Sequence, residues 1–335
     1  MLKEAFLYQK LEGDAVKCNL CARRCIIPDG ARGFCYVREN RKGTLYSLVY
    51  GKVIAAHVDP IEKKPLYHFH PTATVFSIAT IGCNFRCSFC DNWLISQRKE
   101  IEGEDMLPEE VIRQAKATKS DGISYTYTEP TIFMEFAYDT AKLARSEGLF
   151  NTFVTNGYMT PEAVDLMSPY LDAATVDFKG SGDPHFYKKY SAVQSVEPIY
   201  EALKSMKEKK IFVEITDLIV PEVGDSPEQL RKLARWIVDN LGPETPIHLL
   251  RFHPDYMATD LRYTPTATLE KLREVAVSEG LYYVYLGNVP GHKYENTYCP
   301  SCGALLIERY GFYVSLMRIK DGKCPKCGFK VNVVL

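Results

Sequence analysis

The chain has 335 residues, 46% of them hydrophobic, with 41 Lys and Arg against 42 Asp and Glu. That length suits one large core with one or two small modules, and the balanced charge gives no reason to expect nucleic acid, an anionic membrane or a strongly acidic substrate as partner. No basic and apolar leader and no run of about 18 apolar residues is found, so a cytoplasmic, membrane-free protein is expected.

Eleven cysteines fall in groups of four, three and four with the short gaps of metal ligands. The first group, Cys18, Cys21, Cys25 and Cys35, has the spacing Cys-x2-Cys-x3-Cys-x9-Cys. Four thiolates hold either zinc or an additional iron–sulfur cluster. The tight turn Gly30-Ala-Arg-Gly-Phe-Cys35 favours zinc, with an auxiliary cluster as the alternative. Two β-rich stretches follow, 44–50 and 52–58, and Gly51 between them predicts a hairpin that completes a module over 1–71. Next come His57, Asp59, Glu62, Lys63, Lys64, His68 and His70, a segment dense in ionisable groups that either lines the mouth of a site or forms a solvated loop.

Over 72–294 short apolar runs alternate with amphipathic segments, which predicts repeated βα units around a parallel sheet. Strands are expected at 74–81, 123–128, 150–155, 173–178, 211–220, 246–252 and 282–286. Pro108-Glu-Glu, Thr160-Pro-Glu and Ser226-Pro-Glu-Gln read as helix starts, and Gly148 and Gly280 as closing residues. The expected fold is α/β, a partial (β/α)6 barrel of TIM type with a cysteine-rich β extension before it and a zinc-ribbon-like module over 295–335 after it. Function is then expected at the carboxyl ends of the strands. In the last module Cys299-Pro-Ser-Cys302 and Cys324-Pro-Lys-Cys327 form two Cys-x2-Cys knuckles. Their spacing matches a four-thiolate zinc site, a structural staple, with a rubredoxin-like iron site as the alternative.

The middle group is Cys83-Asn-Phe-Arg-Cys87-Ser-Phe-Cys90, immediately after the first barrel strand. An iron–sulfur cube usually takes four thiolates, so three leave one iron open to a small molecule. The pattern Cys-x3-Cys-x-Phe-Cys resembles the signature of the radical S-adenosylmethionine enzymes. That resemblance implies a [4Fe–4S] cluster on Cys83, Cys87 and Cys90 and S-adenosylmethionine on the open iron. It also implies cleavage to a 5′-deoxyadenosyl radical and hydrogen abstraction from a substrate, a glycyl-radical-type peptide backbone being one candidate.

Further matches lie at expected strand ends. Glu129 in Thr126-Tyr-Thr-Glu-Pro130 occupies the place of the family's Gly-Gly-Glu motif, with Thr128 where that motif has glycine. Asn156, Asp177, Lys179 and His253 are similar to residues that border the cofactor in activating enzymes of glycyl-radical proteins. With Phe89, these are the residues the resemblance implies for cofactor binding. The whole pattern resembles the pyruvate formate-lyase activating enzyme-like branch, and within it the AmmeMemoRadiSam-system enzymes. Electrons would come from a donor such as ferredoxin or flavodoxin. The competing expectation is a zinc-ribbon interaction protein that binds nucleic acid or a protein partner around an inert barrel.

Overall fold

A computed structural model describes residues 1–335. Two compact units are present, each gathered from separate stretches of chain. The first comprises Met1–Asp59, Thr74–Ala174 and Glu197–Phe212, and the second Pro60–Ala73, Thr175–Val196 and Val213–Leu335.

In the first unit, β1 (Arg38–Arg41) and β2 (Thr44–Ser47) form an antiparallel hairpin. Its turn residues Lys42 and Gly43 both have positive φ, 51° and 76°, as a tight hairpin turn requires. This corrects the expected hairpin at Gly51. Thr44–Ser47 pairs with Arg38–Arg41 and Lys3–Glu4, while Lys52–Val53 pairs with Glu104–Asp105. The strand β3 (Ala55–Pro60) joins the main sheet instead. The two-residue turn matches the natural twist of paired strands, and the polar run Asn40-Arg-Lys-Gly43 hid it.

The unit's main sheet has the order β6-β5-β4-β3, where β4 is Thr74–Ala79, β5 Gly122–Tyr125 and β6 Phe150–Thr155. Pairings of β4 with β5 and of β5 with β6 are parallel. Helices α1 (Pro108–Ala117), α2 (Met134–Ser146), α3 (Pro161–Met167) and α4 (Glu197–Glu208) complete it. Thr160 caps α3 by accepting the Ala163 N–H at 3.2 Å, as its sequence predicts.

The second unit repeats the plan with the order β10-β9-β8-β7, where β7 is Ala173–Lys179, β8 Phe212–Ile219, β9 Ile247–Arg251 and β10 Val284–Gly287. Pairings of β8 with β9 and of β9 with β10 are parallel. In α5 (Pro227–Asn240) Leu230, Leu233, Ala234 and Ile237 are buried, the i, i+3, i+4, i+7 face of an amphipathic helix. Helix α6 (Thr266–Ser278) closes at Gly280, φ 103°. The ribbon hairpin β11 (Leu305–Tyr310) and β12 (Tyr313–Met317) packs Leu306 and Ile307 with Ile319, Val331, Tyr67, Tyr283 and Tyr285. The fold is thus mixed α/β with a parallel-sheet core, as expected, and all seven anticipated strands form.

The charged segment 57–70 is neither wholly solvated nor wholly open. Asp59, Glu62, Lys64 and His68 are buried, while His57 and Lys63 are exposed. His68 Nδ1 donates to the Asn332 carbonyl at 2.6 Å, so Nε2 accepts the Tyr285 hydroxyl at 2.6 Å.

Candidate functional site

The three-cysteine loop leaves β4 through Gly82, whose φ is 93°. A Cβ there would stand 2.7 Å from Val37 Cγ1 and 2.9 Å from the Cys35 carbonyl oxygen, so only glycine fits. Cys83 Sγ accepts the Phe85 N–H at 3.3 Å. Arg86, inside the x3 gap, donates to the carbonyls of Cys83 at 2.8 Å, Phe85 at 2.7 Å, and Phe34. Arg23 Nε holds the Asn84 carbonyl at 2.6 Å, and both guanidinium groups lie on the Phe34 ring. These cations fix the backbone that presents the thiols. Cys87 and Phe89 are buried, and the half-buried Cys90 has Sγ 3.2 Å from Ser96 Oγ. Burial pushes the Cys83 thiol well up, with the Glu129 charge adding to it, and pushes Cys90 up to about 11. Ligation of a metal by these thiols must therefore release protons.

Glu129 is buried at the end of β5, and the chain itself saturates its carboxylate. Oε1 accepts the Thr131 N–H at 3.1 Å, the Thr131 hydroxyl at 2.5 Å and the Thr155 hydroxyl at 2.7 Å; Oε2 accepts the Asn156 N–H at 2.8 Å. Burial nevertheless raises its pKa. Glu129 thereby ties the end of β5 to that of β6. Thr128 Oγ1 donates to the Thr80 carbonyl at 2.8 Å, which ties β5 to β4 just ahead of the cysteine loop. Asn156 extends the chain of contacts. Its amide donates to Asn84 Oδ1 at 2.7 Å and lies 3.9 Å from Cys83 Sγ, while its own Oδ1 accepts the Tyr158 N–H at 3.0 Å. It serves the turn and the loop at once.

Seven of the sequence-predicted residues, Cys83, Cys87, Phe89, Cys90, Thr128, Glu129 and Asn156, thus belong to the first unit. Asp177, Lys179 and His253 belong to the second. There the Thr216 hydroxyl donates to Asp177 Oδ1, and burial raises the Asp177 pKa. Lys179 Nζ donates to the Asp177 carbonyl at 3.3 Å. His253 is exposed, with its ring edge-on to Tyr263 at 4.8 Å, so it is no core histidine. Sequence reasoning missed Asn84, Arg23, Arg86 and Asp217. Asp217 is buried, accepts the Ser181 N–H at 2.8 Å and hydroxyl at 2.7 Å, and burial raises it to about 6. For Arg86 and Asn84 a signal existed, their position between Cys83 and Cys87, and Arg23 lies likewise between Cys21 and Cys25; Asp217 offered none.

A cavity of about 430 Å³ in the second unit is lined by Glu62, Tyr67, His248, Leu250 and Asn288, among others. His248 Nε2 is 2.8 Å from Glu214 Oε2, whose partner oxygen accepts the His68 N–H at 2.7 Å. The 57–70 segment therefore serves this cavity, with Glu62, Pro65 and Tyr67 in its wall and His68 held behind it by Glu214.

The ribbon cysteines form a closed metal-sized set. Cys299 and Cys327 Sγ are 3.6 Å apart, Cys302 and Cys324 Sγ 3.7 Å, and all four lie within 4.8 Å of one another. A zinc about 2.3 Å from each tetrahedral thiolate needs edges of about 3.8 Å, so the donors fit. Backbone donation from Phe329 lowers the Cys327 thiol to about 7, a thiol poised to ligate. Cys18, Cys21, Cys25 and Cys35 instead line one cavity of about 350 Å³ in the first unit.

The model of the Radical SAM superfamily matches residues 77–237, a segment that contains the three-cysteine loop. Uncharacterized protein MJ0808 of Methanocaldococcus jannaschii is 49% identical over 338 residues, covering 100% of both chains. The pyruvate formate-lyase-activating enzyme of Clostridium pasteurianum is 27% identical over 176 residues, 51% of this chain and 72% of that one. A radical SAM methyltransferase structure from Sphaerobacter thermophilus shares the fold, with TM-score 0.50 at 16% identity over 66% of this chain and 68% of that one. No helix is long and apolar enough to cross a membrane. The cysteine loop at the end of a parallel strand and the match around it agree: the chain belongs to the radical SAM superfamily and is an enzyme of that kind.

Proposed function

We propose that this enzyme reductively cleaves S-adenosylmethionine and abstracts hydrogen from its substrate, with Cys83, Cys87 and Cys90 as the cluster ligands. The observation that carries the reading is the three-cysteine loop at the end of β4, braced by Arg23, Arg86 and Asn156. Three thiol donors with no fourth in the loop fit a cube with one open iron. When bound, that cluster supplies the electron that splits S-adenosylmethionine into methionine and a 5′-deoxyadenosyl radical.

The chain's own part is to position and to shield. Phe89 buries the loop between two ligands, and Glu129, with every acceptor engaged, is a positioning residue that holds the backbone at Thr128 and Asn156. Asp177, Lys179 and His253 are proposed cofactor contacts on the strength of the family resemblance. The relatives named as activating enzymes support a protein substrate; hydrogen taken from a peptide backbone, a cytoplasmic setting and ferredoxin or flavodoxin as reductant are proposed on the family resemblance. Zinc in the ribbon is structural, because the site is closed by four thiols and packs on the core of Leu306, Ile307 and Ile319.

The test is anaerobic reconstitution, chemical reduction and measurement of 5′-deoxyadenosine and methionine. Wild type should form both in equal amounts. If a Cys83→Ala, Cys87→Ala, Cys90→Ala variant still forms 5′-deoxyadenosine, the assignment is wrong.

A further inference from the structure

We infer that Cys18, Cys21, Cys25 and Cys35 hold a second, fully thiolate-ligated [4Fe–4S] cluster rather than zinc. This site is distinct from the one proposed above, and only its relay role rests on that reading.

The arrangement of the thiols is the first reason. In the ribbon the thiols converge on a point, every sulfur within 4.8 Å of the others, which leaves room for one ion. The amino-terminal four instead line one cavity together with Leu20, Ile27, Phe34 and Ile132. A cube carries its four thiolates on four different irons, so its sulfurs stand apart by the width of the cube. A single tetrahedral ion at about 2.3 Å per ligand draws its four sulfurs to about 3.8 Å of one another, the arrangement of the ribbon.

Spacing agrees. The run Cys18-x2-Cys21-x3-Cys25 contains the gaps of the Cys83-x3-Cys87-x2-Cys90 loop in reverse order. Paired Cys-x2-Cys knuckles, the mark of the ribbon, are absent from it.

Unsatisfied donors in the wall supply the independent observation. Arg38 and Asn84 both line the cavity and are 2% and 1% exposed. Arg38 Nε and Asn84 Nδ2 are among the chain's few buried polar atoms with no hydrogen-bond partner. An orphaned buried donor costs about 1–3 kcal/mol, so a native wall that carries two calls for an acceptor. Inorganic sulfides and thiolates of a cluster are such acceptors.

The location gives the site a use. Asn84 is shared. It lines this cavity, adjoins Cys83 in sequence, and accepts the Asn156 amide that approaches Cys83 Sγ. With four cysteines and no open iron, the second cluster is limited to one-electron exchange. Loaded with such a cluster, these cysteines would offer a one-electron relay between a low-potential iron–sulfur or flavin protein and the Cys83 loop, through the shared Asn84.

The experiment is metal and sulfide analysis of the Cys83→Ala, Cys87→Ala, Cys90→Ala variant, expressed and purified without oxygen, with Mössbauer and paramagnetic resonance spectra. About four irons and four sulfides per chain should remain, with a spectrum that S-adenosylmethionine leaves unchanged. A further Cys21→Ser should remove that iron. About two zincs per chain with no iron or sulfide would overturn the inference. Should the triple variant fail to fold, the wild-type count decides: about eight irons support two clusters, and about four irons with two zincs refute them.

Discussion

Glu135→Gln probes the most deeply buried ion pair in the first unit. Glu135 on α2 is 0% exposed and Arg38 on β1 2%, with Arg38 Nη1 3.0 Å from the carboxylate. The pair also holds the amino-terminal segment, since Phe6 donates its N–H to Glu135 Oε1 at 2.6 Å and accepts Arg38 Nη2 at 2.9 Å. At 3.0 Å and an effective dielectric constant of about 20, the attraction is about 5.5 kcal/mol before desolvation. Glutamine keeps the shape and removes the charge, so the guanidinium stays buried without its counter-ion. The expected loss is about 3–5 kcal/mol of unfolding free energy. Urea unfolding followed by circular dichroism should show a lower midpoint with an unchanged slope. A companion Arg38→Met, Glu135→Leu variant should stand closer to wild type than Glu135→Gln does, because both charges leave together. If Glu135→Gln unfolds within about 0.5 kcal/mol of wild type, the pair contributes nothing and the reasoning fails.

Gly82→Ala forces a Cβ against Val37 and the Cys35 carbonyl at a positive φ, and should lower stability by more than about 1 kcal/mol and reduce bound iron; normal iron content would contradict this. Burial lowers His68 to about 4, so between its unfolded value of about 6.5 and 4 the unfolded chain binds more protons and stability is lost as the pH is lowered. Relative to His68→Gln, wild type should lose about 3 kcal/mol over that range, and a parallel pair of pH profiles would disprove the assignment. Asp217 has the opposite sign. Its raised value, about 6, makes wild type gain stability relative to Asp217→Asn as pH falls from 6 towards 4, read in the same titration. Cys302→Ala should take ribbon zinc from about one per chain to near zero and erase near-ultraviolet dichroism from Tyr283 and Tyr285; retained zinc would rule out the four-thiolate site.

Periodicity made the parallel core legible, because burial on one helix face and apolar strand runs leave a repeat in the sequence. Thr160 and Gly280 were readable for the same reason, since capping chemistry is local. The ribbon was readable from spacing alone. Long-range pairing left no such trace. Nothing in Thr44–Ser47 declares that it takes Lys3–Glu4 as a neighbour, and a charged run such as 57–70 does not announce that Glu62, Lys64 and His68 go inside. Their partners Thr72, Thr175 and Asn332 lie 10, 111 and 264 residues away. At the site, the cysteines were visible as a motif, whereas Arg23 and Asn84 acquire meaning only through a contact that spans 61 residues.

The interleaved make-up of the two units bears on synthesis at the ribosome. Residues 60–73 belong with chain that begins again at Thr175, so His68 emerges long before Asn332, Tyr285 and Glu214 exist to receive it. At about 5–20 residues per second the delay is on the order of tens of seconds. During that interval His68 waits without the groups that bury it, and the second unit stays open. The first unit, whose last residue is Phe212, is therefore whole on the ribosome well before the second, and its seven cysteines need not wait for the carboxyl-terminal strands.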